Sequence, residues 1–199
     1  PNERSRASCV EKSERFMRSS PSIPYTRKSR KAESKMRNNP TSVMIFAAGF
    51  GTRMQPLTND MPKPLIKVAG KALLDHAISL ANDATLEKIV VNTHYFPDQI
   101  QTHLHETNTI ISHEIDTVLD TGGGLKNALG LLGDGPVFTM NSDAVWTGEN
   151  PFEQLRRAWN PDQMDALLLL SNPMDATGHK GKGSFLVGTR NALTRGDSA

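Results

Sequence analysis

Six consecutive residues, Val43 to Ala48 (VMIFAA), are apolar, and Gly49 follows directly. A strand with one face in water alternates apolar and polar residues. An unbroken apolar run instead fits a strand covered on both faces, as in parallel sheets whose connections are helices. The downstream sequence supplies those partners. Leu73, Leu74, Ala77, Ile78 and Ala81 recur at helical spacing and predict a helix over 73–81. Strands are predicted at 88–92, around IVV, and at 109–113, 137–141 and 166–170. Helices are predicted at 96–105, with Pro97 near the start, at 121–132, opened by glycines, and at 151–159. Leu65 to Val68 is a short apolar piece before an Ala69-Gly70 turn, and 181–190 reads as a partial hairpin or extended arm. This alternation predicts an α/β protein, a three-layer sandwich with a mostly parallel central sheet. Polar residues cluster just past the strand ends, where open α/β sheets bind ligands.

The chain has 199 residues, enough for one substantial domain, and a formal net charge of +2. That charge is unevenly spread. Residues 1–40 hold eleven Lys/Arg and four Asp/Glu, whereas the remainder holds twelve and seventeen. The folded part is therefore acidic, and basicity gives no argument for nucleic acid. Residues 1–40 are rich in Ser, Arg, Lys, Asn and Pro without an apolar period, and are expected to be disordered or a non-native extension, with Met36 a candidate start. A basic interaction tail is the competing reading. The compact domain is expected at 41–199, C-terminally incomplete, because the chain stops at Ala199 among turn-like residues. Cys9 is the single cysteine, which excludes a disulfide or CxxC metal site within the chain and fits a reducing, cytoplasmic setting. No run of 18 apolar residues is present, and the basic N-terminus lacks the apolar core of a signal peptide, so no membrane association is expected.

The loop after the first strand carries the chemistry. Gly49 and Gly51 permit a tight turn with exposed N–H groups, suited to wrapping phosphates. Arg53 adds a planar fork of donors, and Lys63, between Pro62 and Pro64, adds a point charge on stiffened backbone. A surface turn with two solvated cations fits the same residues. The third glycine of GxGxxG is missing, and no GxxxxGK[ST] occurs, so neither a dinucleotide fingerprint nor a P-loop is present.

"AAGFGTRMQPLTNDMPKPL", residues 47–65, resembles the signature of the sugar-1-phosphate nucleotidyltransferases, or NDP-sugar pyrophosphorylases. Phe46 stands where leucine is commoner. "LDTGGGLKNAL" at 119–129 and "NSDAVW" at 141–146 resemble the small bacterial uridylyltransferases that act on N-acetylmuramic acid 1-phosphate in peptidoglycan recycling. The resemblance covers roughly 42–190 and implies the nucleotide-diphospho-sugar transferase fold. It implies the reaction of an NTP with a sugar 1-phosphate to give an NDP-sugar and pyrophosphate, with UTP and N-acetylmuramic acid 1-phosphate as the expected pair.

Carried over residue by residue, the resemblance implies that Ala47, Ala48, Gly49, Gly51 and Thr52 hold the nucleotide. Arg53 would grip the β- and γ-phosphates, and Lys63 would sit near the α-phosphate and the sugar phosphate. Thr121, Gly122 and Gly123 would border the base, with Asp120 and Glu114 in the loop before them. Asp143 resembles the aspartate that binds Mg2+, though its spacing alone favours a turn or cap aspartate. Asn141 and Trp146 flank it, and Trp146 reads either as stacking on a sugar or as packing. Lys182, with His179 and Lys180, falls in the segment near the sugar, where relatives often have G-D-F and this chain has Gly183-Ser184-Phe185. The second metal-ligand aspartate has no match. His94, His103, His105 and His113 show no metal-binding spacing and are read as surface or packing residues. The alternatives are a guanylyl- or cytidylyltransferase acting on mannose 1-phosphate, another sugar phosphate or phosphocholine, and an inactive nucleotide-sugar-binding regulator. A monomer or homodimer is expected.

Overall fold

The computed structural model describes residues 39–178, 185–189 and 192–195. Its centre is a four-stranded, wholly parallel sheet formed by β1 (Ser42–Phe46), β4 (Lys88–Thr93), β5 (Ile110–His113) and β6 (Val137–Asn141), in the order β5-β4-β1-β6. β1 lies in register with both neighbours: Val43 pairs with Ile89 on one side and Phe138 on the other.

The unbroken apolar run now has its reason. Val43 and Ile45 point to one face, into a cluster with Leu74, Ala77, Ile100 and Phe152. Met44 points to the other, against Ala128 and Leu132. Alternation persists along the strand, but both faces are covered, so both sets of positions are apolar.

Chain direction decides which helix covers which face. From β1 the chain steps to β4 and then to β5, through α1 (Leu73–Asp83) and α2 (Pro97–Leu104). It then crosses back to the far side of β1 through α3 (Asp120–Leu132). Right-handed crossovers place helices on opposite faces when the direction reverses. Accordingly α1, α2 and α4 (Pro151–Ala158) contribute to the first cluster, and α3 alone to the second. The reversal opens the crevice beyond the C-terminal ends of β1 and β6, the topological switch point of the sheet.

Small elements complete the described chain. Lys67–Val68 (β2) and Lys71–Ala72 (β3) form a hairpin whose turn residues, Ala69 and Gly70, both have positive φ. Phe185–Val187 (β7) pairs antiparallel with Leu193–Arg195 (β8), so the expected hairpin reaches past 190.

Two expectations need correction. β1 ends at Phe46 rather than Ala48, because the Ala47 N–H donates to the side chain of Asn92 and not to a neighbouring strand. The apolar run 166–170 is not a strand. It has no ladder partner among the described residues, Leu168 and Leu170 are exposed, and an apolar run without pairing is not a strand.

Leu74 is fully buried between α1 and the sheet, whereas Leu57 is 62% exposed. Leu74→Ala is expected to cost about 2–5 kcal/mol and Leu57→Ala less than about 0.5 kcal/mol, read from urea unfolding midpoints at constant m.

Candidate active site

The loop after β1 folds back on Gly51. This residue has φ 64°, in the left-handed region that glycine tolerates. A Cβ there would lie 3.0 Å from both Lys63 Cβ and Thr58 Cγ2, so the absent side chain also permits close packing. The Gly51 carbonyl accepts from Met54 N at 2.8 Å and from Thr58 Oγ1 at 3.0 Å. Thr58 is buried, and its own carbonyl accepts from the Tyr95 hydroxyl at 2.9 Å. The excursion from Gly51 to Lys63 is thereby closed like a clasp, which returns Lys63 to within a few ångströms of Gly51.

β6 delivers the opposing group. At its end, Ser142 donates through its hydroxyl (2.7 Å) and its backbone N–H (3.3 Å) to the carbonyl of Phe46, tying the tips of β6 and β1 together. Asp143 is the next residue. Its Oδ2 accepts from Lys63 Nζ at 2.7 Å, across 80 residues of sequence. The other carboxylate oxygen makes no hydrogen bond among the described residues. Nor does the Arg53 guanidinium, which leaves an exposed cation at the same mouth.

Ala47, Ala48, Gly49, Gly51, Arg53, Lys63, Thr121, Asn141 and Asp143 line one cleft of about 310 Å³. It offers backbone N–H groups and two cations, a donor set for a polyphosphate, together with the carboxylates of Glu114 and Asp143. Asp120, which opens α3 with φ 60°, also faces it. Thr52, Gly122 and Gly123 lie outside the lining. Trp146 lines an adjoining cavity of about 280 Å³, which shares Asn141 and Asp143 with the first and is otherwise walled by apolar groups such as Phe152 and Leu168. His179, Lys180, Lys182, Gly183 and Ser184 fall outside the described residues. Among the described residues no three His, Cys, Asp or Glu side chains converge on one point. His103 instead pairs with Asp75 at 2.7 Å, and His94 Nδ1 lies 2.7 Å from the Glu114 carbonyl.

Sequence reading missed Asn92. It is a polar residue next to the end of β4, buried but lining the cleft, and its amide bridges Ala47 N and the Glu114 carboxylate at 2.7 Å each. The signal was the polar interruption in IVVNT.

This combination defines a nucleotide-handling α/β domain, and the chain belongs to the MobA-like NTP transferase domain family, which it matches over residues 43–176. Over 161 residues it is 43% identical to the N-acetylmuramate alpha-1-phosphate uridylyltransferase of Caulobacter vibrioides, an alignment covering 76% of this chain and 66% of that protein. Over 119 residues it is 36% identical to the mannose-1-phosphate guanyltransferase of Hypocrea jecorina, covering 56% of this chain and 32% of that protein. The chain thus spans between about a third and two thirds of these relatives. A crystal structure of UDP-glucose pyrophosphorylase complexed with UDP-glucose shares the fold, with a TM-score of 0.51 at 18% identity over 60% of this chain and 52% of that one. No helix among the described residues is long and apolar enough to cross a membrane.

The three consecutive glycines of α3 separate cleanly. A Cβ at Gly124 would meet Glu114 Oε1 at 2.7 Å and Asn92 Nδ2 at 2.8 Å, whereas one at Gly122 would meet nothing within 4 Å. Gly124→Ala is expected to lower the melting temperature by several degrees. Gly122→Ala is expected to hold or raise it, since alanine favours helix by up to about 1 kcal/mol. Thermal unfolding followed by circular dichroism distinguishes the two.

Proposed function

We propose that this chain is the nucleotide-binding part of a sugar-1-phosphate nucleotidyltransferase, with UTP and N-acetylmuramic acid 1-phosphate as substrates. Residues 41–199 would carry this role, and 1–40 lie outside it. The observation that carries the reading is the meeting of Lys63 and Asp143, 2.7 Å apart, at the mouth of a cleft floored by the glycine loop.

The reaction brings together two phosphates that repel each other. An oxygen of the sugar phosphate attacks the α-phosphorus, a new P–O bond forms, and the bond to the β-phosphate oxygen breaks to release pyrophosphate. The nucleophile is already anionic, so the protein is required chiefly for positioning and charge. Backbone N–H groups of the glycine loop seat the triphosphate. Arg53 neutralises the β- and γ-phosphates and so the leaving group. Lys63 offsets charge where the two substrates meet. Asp143 is suited to holding Mg2+, because one of its oxygens has no partner among the described residues and Mg2+ is commonly bound by one or two carboxylates together with substrate phosphates. When bound, the ion supplies further charge neutralisation at the phosphates. The adjoining cavity beside Asn141 and Trp146 is the natural place for the sugar.

The substrate pair is supported by the 43% identity to the Caulobacter uridylyltransferase, and it would place the activity in peptidoglycan recycling in the cytoplasm. The guanyltransferase relative makes GTP with mannose 1-phosphate the comparison arm. Pyrophosphate release with Mg2+, measured for five nucleoside triphosphates against a panel of sugar 1-phosphates and phosphocholine, tests both. Release with UTP and N-acetylmuramic acid 1-phosphate is expected. Release confined to another pair overturns the substrate assignment, and none with any pair from folded protein overturns the enzyme.

Lys63→Ala and Asp143→Ala are each expected to lower turnover by about 10²–10³-fold. Their melting temperatures should stay close to that of the parent, because so exposed a pair contributes less than about 1 kcal/mol to folding.

A further inference from the structure

On the floor of the cleft two buried polar side chains, both part of its lining, join the glycine loop to the helix that faces it. The Ala47 N–H donates to Asn92 Oδ1 at 2.7 Å, and Asn92 Nδ2 donates to Glu114 Oε1 at 2.7 Å. The other Glu114 oxygen, Oε2, accepts from the Leu119 N–H at 2.8 Å, at the entrance to α3. Asn92 and Glu114 are 3% and 2% exposed, so an unmatched polar atom there has little water to turn to. The backbone of Glu114 is fixed as well, its N–H donating to the Thr93 carbonyl at 2.8 Å.

We propose that Asn92 and Glu114 are positioning residues, a two-membered relay that sets the distance and angle between the loop at Ala47 and the first turn of α3. These are the two walls between which the nucleotide lies on the reading given above, and the relay's effect on nucleotide affinity rests on that reading. Its effect on the two walls does not.

The direction of every bond gives the relay a logic that can be tested. Both ends are backbone N–H groups, which only donate. Two side chains between two donors satisfy every bond when one is an amide and the other a carboxylate, in either order. Two amides leave a donor facing a donor, whatever their orientation. Two ionised carboxylates leave acceptor facing acceptor, a mismatch that only a shared proton relieves. Glu114→Gln therefore breaks the relay outright, and Asn92→Asp breaks it at mildly alkaline pH, which disfavours that proton and at which the proteins are compared, although each is nearly isosteric. The double variant Asn92→Asp/Glu114→Gln rebuilds it in reverse. The carboxylate introduced at position 92 would accept from Ala47 N and from the amide introduced at position 114, whose oxygen would accept from Leu119 N. The number of carboxylates is unchanged.

Amide hydrogen exchange and steady-state kinetics on the four proteins decide it. Each single variant is expected to exchange faster at Ala47 or Leu119, while Val90 in the centre of β4 keeps its protection. Each is expected to raise KM for the nucleotide about tenfold and to leave kcat within a few-fold. The double variant should recover slow exchange, and its KM should fall about tenfold below that of the worse single, the size of coupling seen between side chains in one hydrogen-bond network. Four proteins alike in exchange and KM, or a double variant no better than the singles, overturn the relay. Faster exchange at Val90 in step with the other two amides would show a general loss of stability and overturns it too. Should the parent release no pyrophosphate with any substrate pair, the reading of the cleft fails by itself, and exchange at Ala47 and Leu119 still decides the relay.

Discussion

β1 is bounded on four sides. β4 and β6 hydrogen-bond to its two edges, one helical layer covers Val43 and Ile45, and α3 covers Met44. No other strand of the sheet has both a complete set of neighbours and a position beside the reversal of chain direction. The candidate site hangs from its C-terminal end, since the glycine loop leaves there, Ser142 anchors there, and Asn92 captures the first N–H beyond it. A strand so constrained gives the loop a fixed origin, as the proposed role in holding phosphates requires.

From that origin two kinds of polar interaction divide the work. Buried and partly buried ones set geometry: Asn92 with Glu114 and Ser142 with Phe46 tie strand ends together, and Thr58 with Gly51 closes the loop on itself. Burial makes them strict, because a lost partner is not replaced by water. The groups at the cleft mouth are different. Arg53, Lys63 and Asp143 keep contact with solvent, and the one bond among them joins opposite charges. Such a pair adds little to folding, but it keeps a cation and a carboxylate ready where an anionic ligand and its counter-ion would bind.

Much of the fold was legible from residues 43–158. Both-face burial of β1, the helix over 73–81 and the strands at IVV and 137–141 each follow from a period that a short window contains. The run 166–170 was misread for the same reason. Its residues have strand composition, but pairing depends on a neighbour that no local window includes. The two extra residues assigned to β1 were lost to a side chain 45 positions away.

The sequence by itself determined the class of the sheet and, through its resemblance to a family signature, named Gly49, Gly51, Arg53, Lys63 and Asp143 for the cleft; type and spacing alone left Asp143 open to reading as a turn residue. Tertiary structure alone decided who meets whom. Lys63 reaches Asp143 because Gly51 lets the intervening loop close on itself and because the chain reversal sets β6 beside β1. Asn92 joins the site because a parallel neighbour places its strand end next to Ala47. Local periodicity records which face of an element is buried. It does not record which distant element lies against that face, and the contacts of Lys63 with Asp143, Ser142 with Phe46 and Asn92 with Ala47 and Glu114 are of that second kind.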